Sequence, residues 1–286
     1  MSEKLNISGV EISNPDKIVY PTDSIRKIDV INYYDKVSQK MMPYVENRLL
    51  SVIRCPKGVG TCFYNKHQKI ETEGTENLPV KNSEGKSEDY FYIDDKIGLV
   101  SEAQMGTVEY HIWGSRIEKL EKPDMMVFDL DPNEGMDEER VRVGARDLKQ
   151  ILDRLDLASF IKTSGGKGYH IVVPFKASKG WDSFHDFAKK IAEVMEQEWP
   201  TRYTSNVRKS AREDKIFIDW IRNGRGATSV APYSLRAREG APVSMPISWD
   251  ELDFILPNQI KMQDAITRLE APDPWKGFYE TEQVLQ

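Results

Sequence analysis

Apolar positions along the chain change their period several times, and each change marks an element. Val30, Ile31, Tyr34, Val37 and Met41 recur at helical spacing, so residues 27–42 predict a helix with one buried face. LLSVIRC, ending at Cys55, is a short apolar run and predicts a strand. Residues 71–90, ETEGTENLPVKNSEGKSEDY, are polar and predict a long, mobile surface loop. Val108, Tyr110 and Ile112 alternate with Glu109 and His111, the pattern of a half-buried strand with His111 on its polar face. MMVFDLD at 125–131 predicts a further strand. Val141, Leu148, Ile151, Leu152 and Leu155 line one face of a helix over 138–155. FIKTSGGKGYHIVVPF reads as strand, glycine loop, strand. Trp181, Phe184, Phe187, Ala188, Ile191, Val194 and Met195 mark a second amphipathic helix, and KIFIDWI at 215–221 another strand. Ser248 followed by Glu251 has the spacing of a capping box opening a last helical region.

Strands and helices mix without a strict βαβ rhythm, and the close strand–loop–strand units favour antiparallel pairing. The expected class is α/β (α+β) with a mixed sheet core. With 286 residues, 39% of them hydrophobic, the chain can build one large domain or two small ones. No run approaches the roughly 18 apolar residues of a membrane span. MSEKLNISGV lacks the apolar stretch of a secretory signal, so a cytoplasmic location is expected. Cys55 and Cys62 cannot build a four-ligand zinc site alone. They are read as ordinary thiols in a reducing cytoplasm, with a disulfide as the alternative.

The net charge of −6 argues mildly against a polyanion partner, but its distribution matters more. Between Arg202 and Arg238 stand nine basic residues against Glu213, Asp214 and Asp219, so this segment carries +6 and the rest −12. Such a stripe fits a local nucleic-acid site, or equally a solvated surface of salt bridges.

Asp129 and Asp131, at i and i+2 of a strand, point to one face roughly 7 Å apart, with Leu130 turned back into the core. Pro132 is expected to end the strand and free the acids from the ladder. Adjacent carboxylates repel each other, and a cation removes that cost. Hard oxygen ligands select Mg²⁺ or Mn²⁺. Asp219, following the apolar run Ile216-Phe217-Ile218, offers a third carboxylate, as a two-ion site needs. Each acid is alternatively a solvated strand-end residue. Ser164-Gly165-Gly166-Lys167-Gly168 lets backbone amides and a lysine approach an anion, or is a plain glycine hairpin. It is no Walker A loop, because Gly168 stands where Ser or Thr is needed. His111 and His170 are candidate phosphate or sugar ligands.

Taken together, SNPDKIVYP near the start, FYNKH at 63–67, HIW at 111–113, VFDLDP at 127–132, SGGKGYH at 164–170 and APYSLRAR at 231–238 resemble the polymerase domain of bacterial and archaeal non-homologous end-joining systems, of the archaeo-eukaryotic primase superfamily. The resemblance covers nearly the whole chain. It implies one primase-polymerase domain over 1–286, with DNA-end contacts in about 1–105 and the catalytic core in about 106–286. It implies nucleotidyl transfer with two Mn²⁺ or Mg²⁺ ions on Asp129, Asp131 and Asp219, and a preference for ribonucleotides. His111, Ser164, Gly165, Lys167, His170, Arg212, Arg236 and Arg238 would hold the incoming NTP or dNTP. Phe63, with Tyr64 beside it, would stack on a base. Asn14, Lys17 and Lys27 would form a pocket for the 5′-phosphate of a DNA end. Tyr64 and Asn65 stand where the family often has Phe and Gln, which makes the stacking geometry differ. No Lys-x-Asp-Gly ligase motif is present, so a stand-alone polymerase is expected, with Ku and a separate DNA ligase as partners at the nucleoid.

Two other readings compete. VFDLD resembles the first motif of haloacid-dehalogenase-type phosphatases, but Pro132 and Asn133 stand where that class has Gly and Thr. A non-catalytic DNA-end-binding module would use the basic segment, yet three converging acids would repel phosphate.

Overall fold

The computed structural model describes residues 5–67, 72–82 and 84–285. The chain divides into two compact units, one of Met1–Ile112, Val230–Ser244 and Lys261–Ala271, the other of Trp113–Ser229, Met245–Ile260 and Pro272–Gln286.

The first unit opens with two small hairpins, β1 (Asn6–Ile7) with β2 (Val10–Glu11) and β3 (Ile18–Tyr20) with β4 (Ile25–Arg26). Helix α1 (Lys27–Val45) follows at the predicted place, its entry fixed by Asp29, which accepts from the Arg26 amide at 2.8 Å. Val30, Ile31, Tyr33, Tyr34, Val37 and Met41 are at most 2% exposed, and α1 packs on α2 (Lys96–Gln104) and α5 (Met262–Arg268). The unit's antiparallel sheet runs β9 (Thr107–Trp113), β5 (Leu50–Arg54), β8 (Ser87–Ile93), β7 (Thr75–Lys81), with β6 (Phe63–Asn65) also paired to β5.

Three sequence expectations fail in this unit. The predicted surface loop at 71–90 contains the β7–β8 hairpin, residues 71 and 83 lying outside the described residues. Its composition is polar because β7 is an edge strand that buries little beyond Thr75 and Val80, and Pro79 is tolerated at an edge. Asn82 closes the turn by accepting from the amides of Glu84 and Lys86, both at 3.0 Å. The second failure is β9, which lies between β5 and β15 (Thr228–Val230) and is buried on both faces rather than one, with Glu109 only 3% exposed. The third is the cysteine pair. Arg54 pairs with Phe63 across β5 and β6, so Cys55 and Cys62 fall at the next facing position, Cα atoms 4.2 Å apart, and are joined as a disulfide.

The second unit is a six-stranded mixed sheet, ordered β13 (Tyr203–Thr204), β14 (Ile216–Asp219), β10 (Met125–Pro132), β12 (Tyr169–Pro174), β11 (Phe160–Thr163), β16 (Pro246–Ile247). Only β13 and β14 run parallel. Helices α3 (Glu138–Arg154) and α4 (Trp181–Glu198), both as predicted, pack on one face. Gly144 of α3 sits against Leu130 and Ile216, so by strand alternation residues 129, 131 and 219 face away from the helices. The Ser248–Glu251 capping box forms, Glu251 accepting from the Ser248 amide at 2.8 Å, but it opens only one 3₁₀ turn. The chain re-enters the first unit at Val230, within β15 (Thr228–Val230). No helix among the described residues is long and apolar enough to cross a membrane.

Candidate active site

Strand pairing assembles the acids. Asp129 on β10 stands directly opposite Asp219 on β14 and directly opposite His170 on β12. The three side chains therefore lie in a row across three adjacent strands, and Asp131 shares their face two residues on. The acids remain inside the ladder, since Asp131 pairs with Phe217 and Pro132 with Ile216. Pro132 ends β10 without releasing them, contrary to expectation, because β14 continues alongside.

Cations surround the row. Arg222 Nε lies 3.0 Å from Asp129 and 3.1 Å from Asp219. Arg212 reaches Asp131 at 3.2 Å and sits over the Phe217 ring, its guanidinium carbon 3.7 Å from the ring centre. His170 Nε2 is 3.3 Å from Asp129, and its Nδ1 is 2.9 Å from the ammonium of Lys162, which is 1% exposed. Burial raises the Asp129 pKa, but the charges of His170, Arg222 and Lys162 outweigh it and hold the carboxyl well below the usual range. Asp131 is raised, first by burial and then by the charge of Asp129. Asp219 is raised by burial against the pull of Arg222. Burial and then Lys162 lower His170 to about 4.

Arg222 and Lys162 escaped the sequence reading. Arg222 was one charge in the basic stripe. Lys162 would have emerged from the hairpin register, which pairs it with His170 across β11 and β12.

The glycine loop is tied to the protein by its own amides. The Gly166 and Gly168 amides donate to Ser164 Oγ at 3.0 and 3.3 Å, and Gly165 donates to the Pro257 carbonyl at 2.9 Å. Gly165 holds φ +65°. A Cβ on Gly168 would lie 1.9 Å from the Leu130 carbonyl, so glycine there lets the hairpin close over β10 between the two acids. What the loop offers outward is Lys167, half exposed and 3.5 Å from Glu134.

In the first unit the structure brings together His111 and Arg236. Glu109 accepts from His111 Nε2 and Arg236 Nε, each at 2.9 Å, and from the Ala237 amide at 2.7 Å. Burial would raise this carboxyl, yet His111 and Arg236 bring it down to about 2. Tyr64, 55% exposed on β6, meets the His111 ring edge-on at 6.5 Å, beside an equally open Phe63. Arg238 is exposed one residue beyond this cluster. Asn14, Lys17 and Lys27 line a single cavity of about 220 Å³, with Asn14 in left-handed backbone at φ +51°. Lys27 Nζ donates to the Ser13 carbonyl at 2.8 Å. Burial and the charge of Lys17 lower it to about 8.

A mixed sheet carrying a row of carboxylates ringed by cations agrees with the primase-type polymerase, a nucleotidyltransferase, that the sequence resembles. Residues 26–275 match the family described as LigD, primase-polymerase domain, and the chain belongs to that family. It is 34% identical over 284 residues to the multifunctional non-homologous end joining protein LigD of Pseudomonas aeruginosa, covering 97% of this chain and 34% of that protein. It is 27% identical to the bifunctional LigD of Bacillus subtilis, over 96% of this chain and 45% of that one. The chain thus spans a third to a half of these relatives. It also matches the solved polymerase domain of Mycobacterium tuberculosis Ligase D in complex with DNA, with TM-score 0.86 and 30% identity, covering 93% of this chain and 96% of that domain. Membership sets aside the phosphatase and the non-catalytic readings.

Proposed function

We propose that the protein adds nucleotides at DNA ends and gaps during non-homologous end joining, with Asp129, Asp131 and Asp219 holding two divalent ions. The observation that carries this is the cross-strand row of acids in a member of this family. The donor set fits Mg²⁺ or Mn²⁺, being all carboxylate oxygen on one sheet face. Among the described residues no three acids and histidines already converge on one point, and Arg222 occupies the space between Asp129 and Asp219. Ion binding would compete with that guanidinium for the same oxygens. When bound, two ions activate an attacking hydroxyl and offset charge on the leaving oxygen.

Other residues bind and orient. Lys167, Arg212, His170, Ser164 and Gly165 keep the triphosphate role that the resemblance implies. His111, Arg236 and Arg238 keep the nucleotide role that the resemblance gives them. Phe63 and Tyr64, both exposed on β6, offer faces on which a base stacks. Asn14, Lys17 and Lys27 receive a terminal 5′-phosphate, whose nearly two negative charges separate it from an internal phosphodiester. Ribonucleotides are the favoured substrates, Ku and a DNA ligase the partners, and the nucleoid in the cytoplasm the place of action.

The test is gap filling on 5′-phosphorylated DNA, with NTPs and dNTPs at matched concentrations in Mn²⁺ and in Mg²⁺. Templated insertion that favours NTPs supports the reading. A clear preference for dNTPs removes the ribonucleotide part, and no insertion in either metal removes the whole.

A further inference from the structure

Glu109 and His111 lie at i and i+2 of one strand, so they share a face. A carboxylate as buried as Glu109 persists only when its oxygens are satisfied. One oxygen takes both His111 Nε2 and Arg236 Nε; the other takes the Ala237 amide, which fixes the plane of the group. An ionised carboxylate can only accept. The His111 nitrogen facing it therefore carries the proton, and the bond made by one ring nitrogen dictates what the other presents. The Arg236 guanidinium is turned by the same oxygen, although it lies far along the chain from β9.

We infer that Glu109 is a positioning residue for the incoming nucleotide, fixing the tautomer and ring orientation of His111 and the direction of the Arg236 guanidinium. This rests on the assignment of His111 and Arg236 to the nucleotide. Preset geometry of this kind acts on binding, since a polar contact misplaced by an ångström loses much of its strength. A carboxylate that merely tied two strands would leave nucleotide affinity untouched.

The experiment compares Glu109→Gln, Glu109→Asp, Arg236→Ala, His111→Ala and the double variant Glu109→Gln/Arg236→Ala in single-nucleotide insertion. Glu109→Gln keeps the shape but removes the charge and sets an amide against two donors. The expected result is a KM raised about tenfold or more, the size of one lost charged contact, with a smaller change in kcat. Binding of gapped 5′-phosphorylated DNA without nucleotide should hold, and Glu109→Asp should recover part of the loss. The double variant should lose less than the product of the two single effects, because the part of Glu109 that acts through the Arg236 guanidinium is already gone in Arg236→Ala. Unchanged KM in Glu109→Gln, or effects that multiply in the double variant, overturns the inference. Unchanged KM in both Arg236→Ala and His111→Ala overturns the nucleotide assignment itself, and this inference with it. If Glu109→Gln does not fold, ¹⁵N NMR of the unaltered protein decides. Protonation of His111 at Nε2 supports the inference, and protonation at Nδ1 alone overturns it.

Discussion

Asp129 and Asp219 face each other directly across β10 and β14, and the Nε of Arg222 lies within 3.1 Å of both. Like charges opposed in this way destabilise a strand pair, and the guanidinium offsets them. Arg222→Ala should therefore lower the melting temperature in EDTA, by roughly 1 kcal/mol of stability once partial exposure is allowed for. Mn²⁺ should then raise the melting temperature of the variant more than that of the parent, because the ion takes over the neutralising role. An Arg222→Ala melt in EDTA equal to the parent's would show that Arg222 is not the counter-charge.

The two acids of β10 should separate in their stability effects. Asp131 is 54% exposed at its side chain, so Asp131→Ala should fold normally and lose nucleotide addition. Asp129 is the shared partner of His170 and Arg222, so Asp129→Ala should lose activity and also stability, since it removes the carboxylate that both the buried His170 ring and the partly exposed Arg222 guanidinium contact. Thermal melts beside insertion assays check both. Near-parental activity in folded Asp131→Ala would remove it from the metal site.

These contrasts show what could be read from the chain. The i, i+2 acids, the strand–loop–strand around residues 164–168 and the helices at 27–45, 138–154 and 181–198 all announce themselves through local period. Local period says nothing about which strands become neighbours. That is why Lys162 against His170, and Glu109 between His111 and Arg236, were not seen. An edge strand such as β7 has almost no apolar face to show, so its sequence looks like a loop. Gly168 serves close packing on Leu130, and the amides thought to cradle an anion already have acceptors inside the protein.

Lys27 gives a pH prediction. Its pKa is lowered to about 8, first by burial and then by the charge of Lys17. The charged form is thus complete below pH 8 and is lost as pH rises through that value. The unfolded chain keeps its proton to about 10.4, so this group costs stability below pH 8 and the cost fades between 8 and the unfolded value. Phosphate binding runs the other way, since it needs the ammonium. Affinity for a 5′-phosphorylated gap should fall up to about tenfold between pH 7 and 9 beyond any fall seen with a 5′-hydroxyl. Lys27→Arg, charged throughout, should flatten that difference. Parallel pH curves for the two substrates would take Lys27 out of the phosphate pocket.

The cysteine pair carries the last prediction. Cys55 lies one residue past the end of β5 and lines the cavity that holds Asn14, Lys17 and Lys27; Cys62 lies one residue before Phe63. The bridge between them closes the turn through residues 56–61 and fixes where β6 begins. Closing a loop of this length restricts the unfolded chain by about 2–3 kcal/mol. Cys62→Ser should therefore melt lower than the parent by an amount near that figure, and Cys55→Ser likewise. Dithiol reductant should lower the melt of the parent and leave both variants unmoved, because only the parent has a bond to break. Because β6 carries Phe63 and Tyr64, the same variants should also bind single-stranded DNA overhangs more weakly. The first measurement is simple. Denatured, unreduced protein should show no reactive thiol, and two should appear after reduction. Two thiols before reduction would restore the reading of ordinary cysteines, and the stability difference would then have to vanish as well.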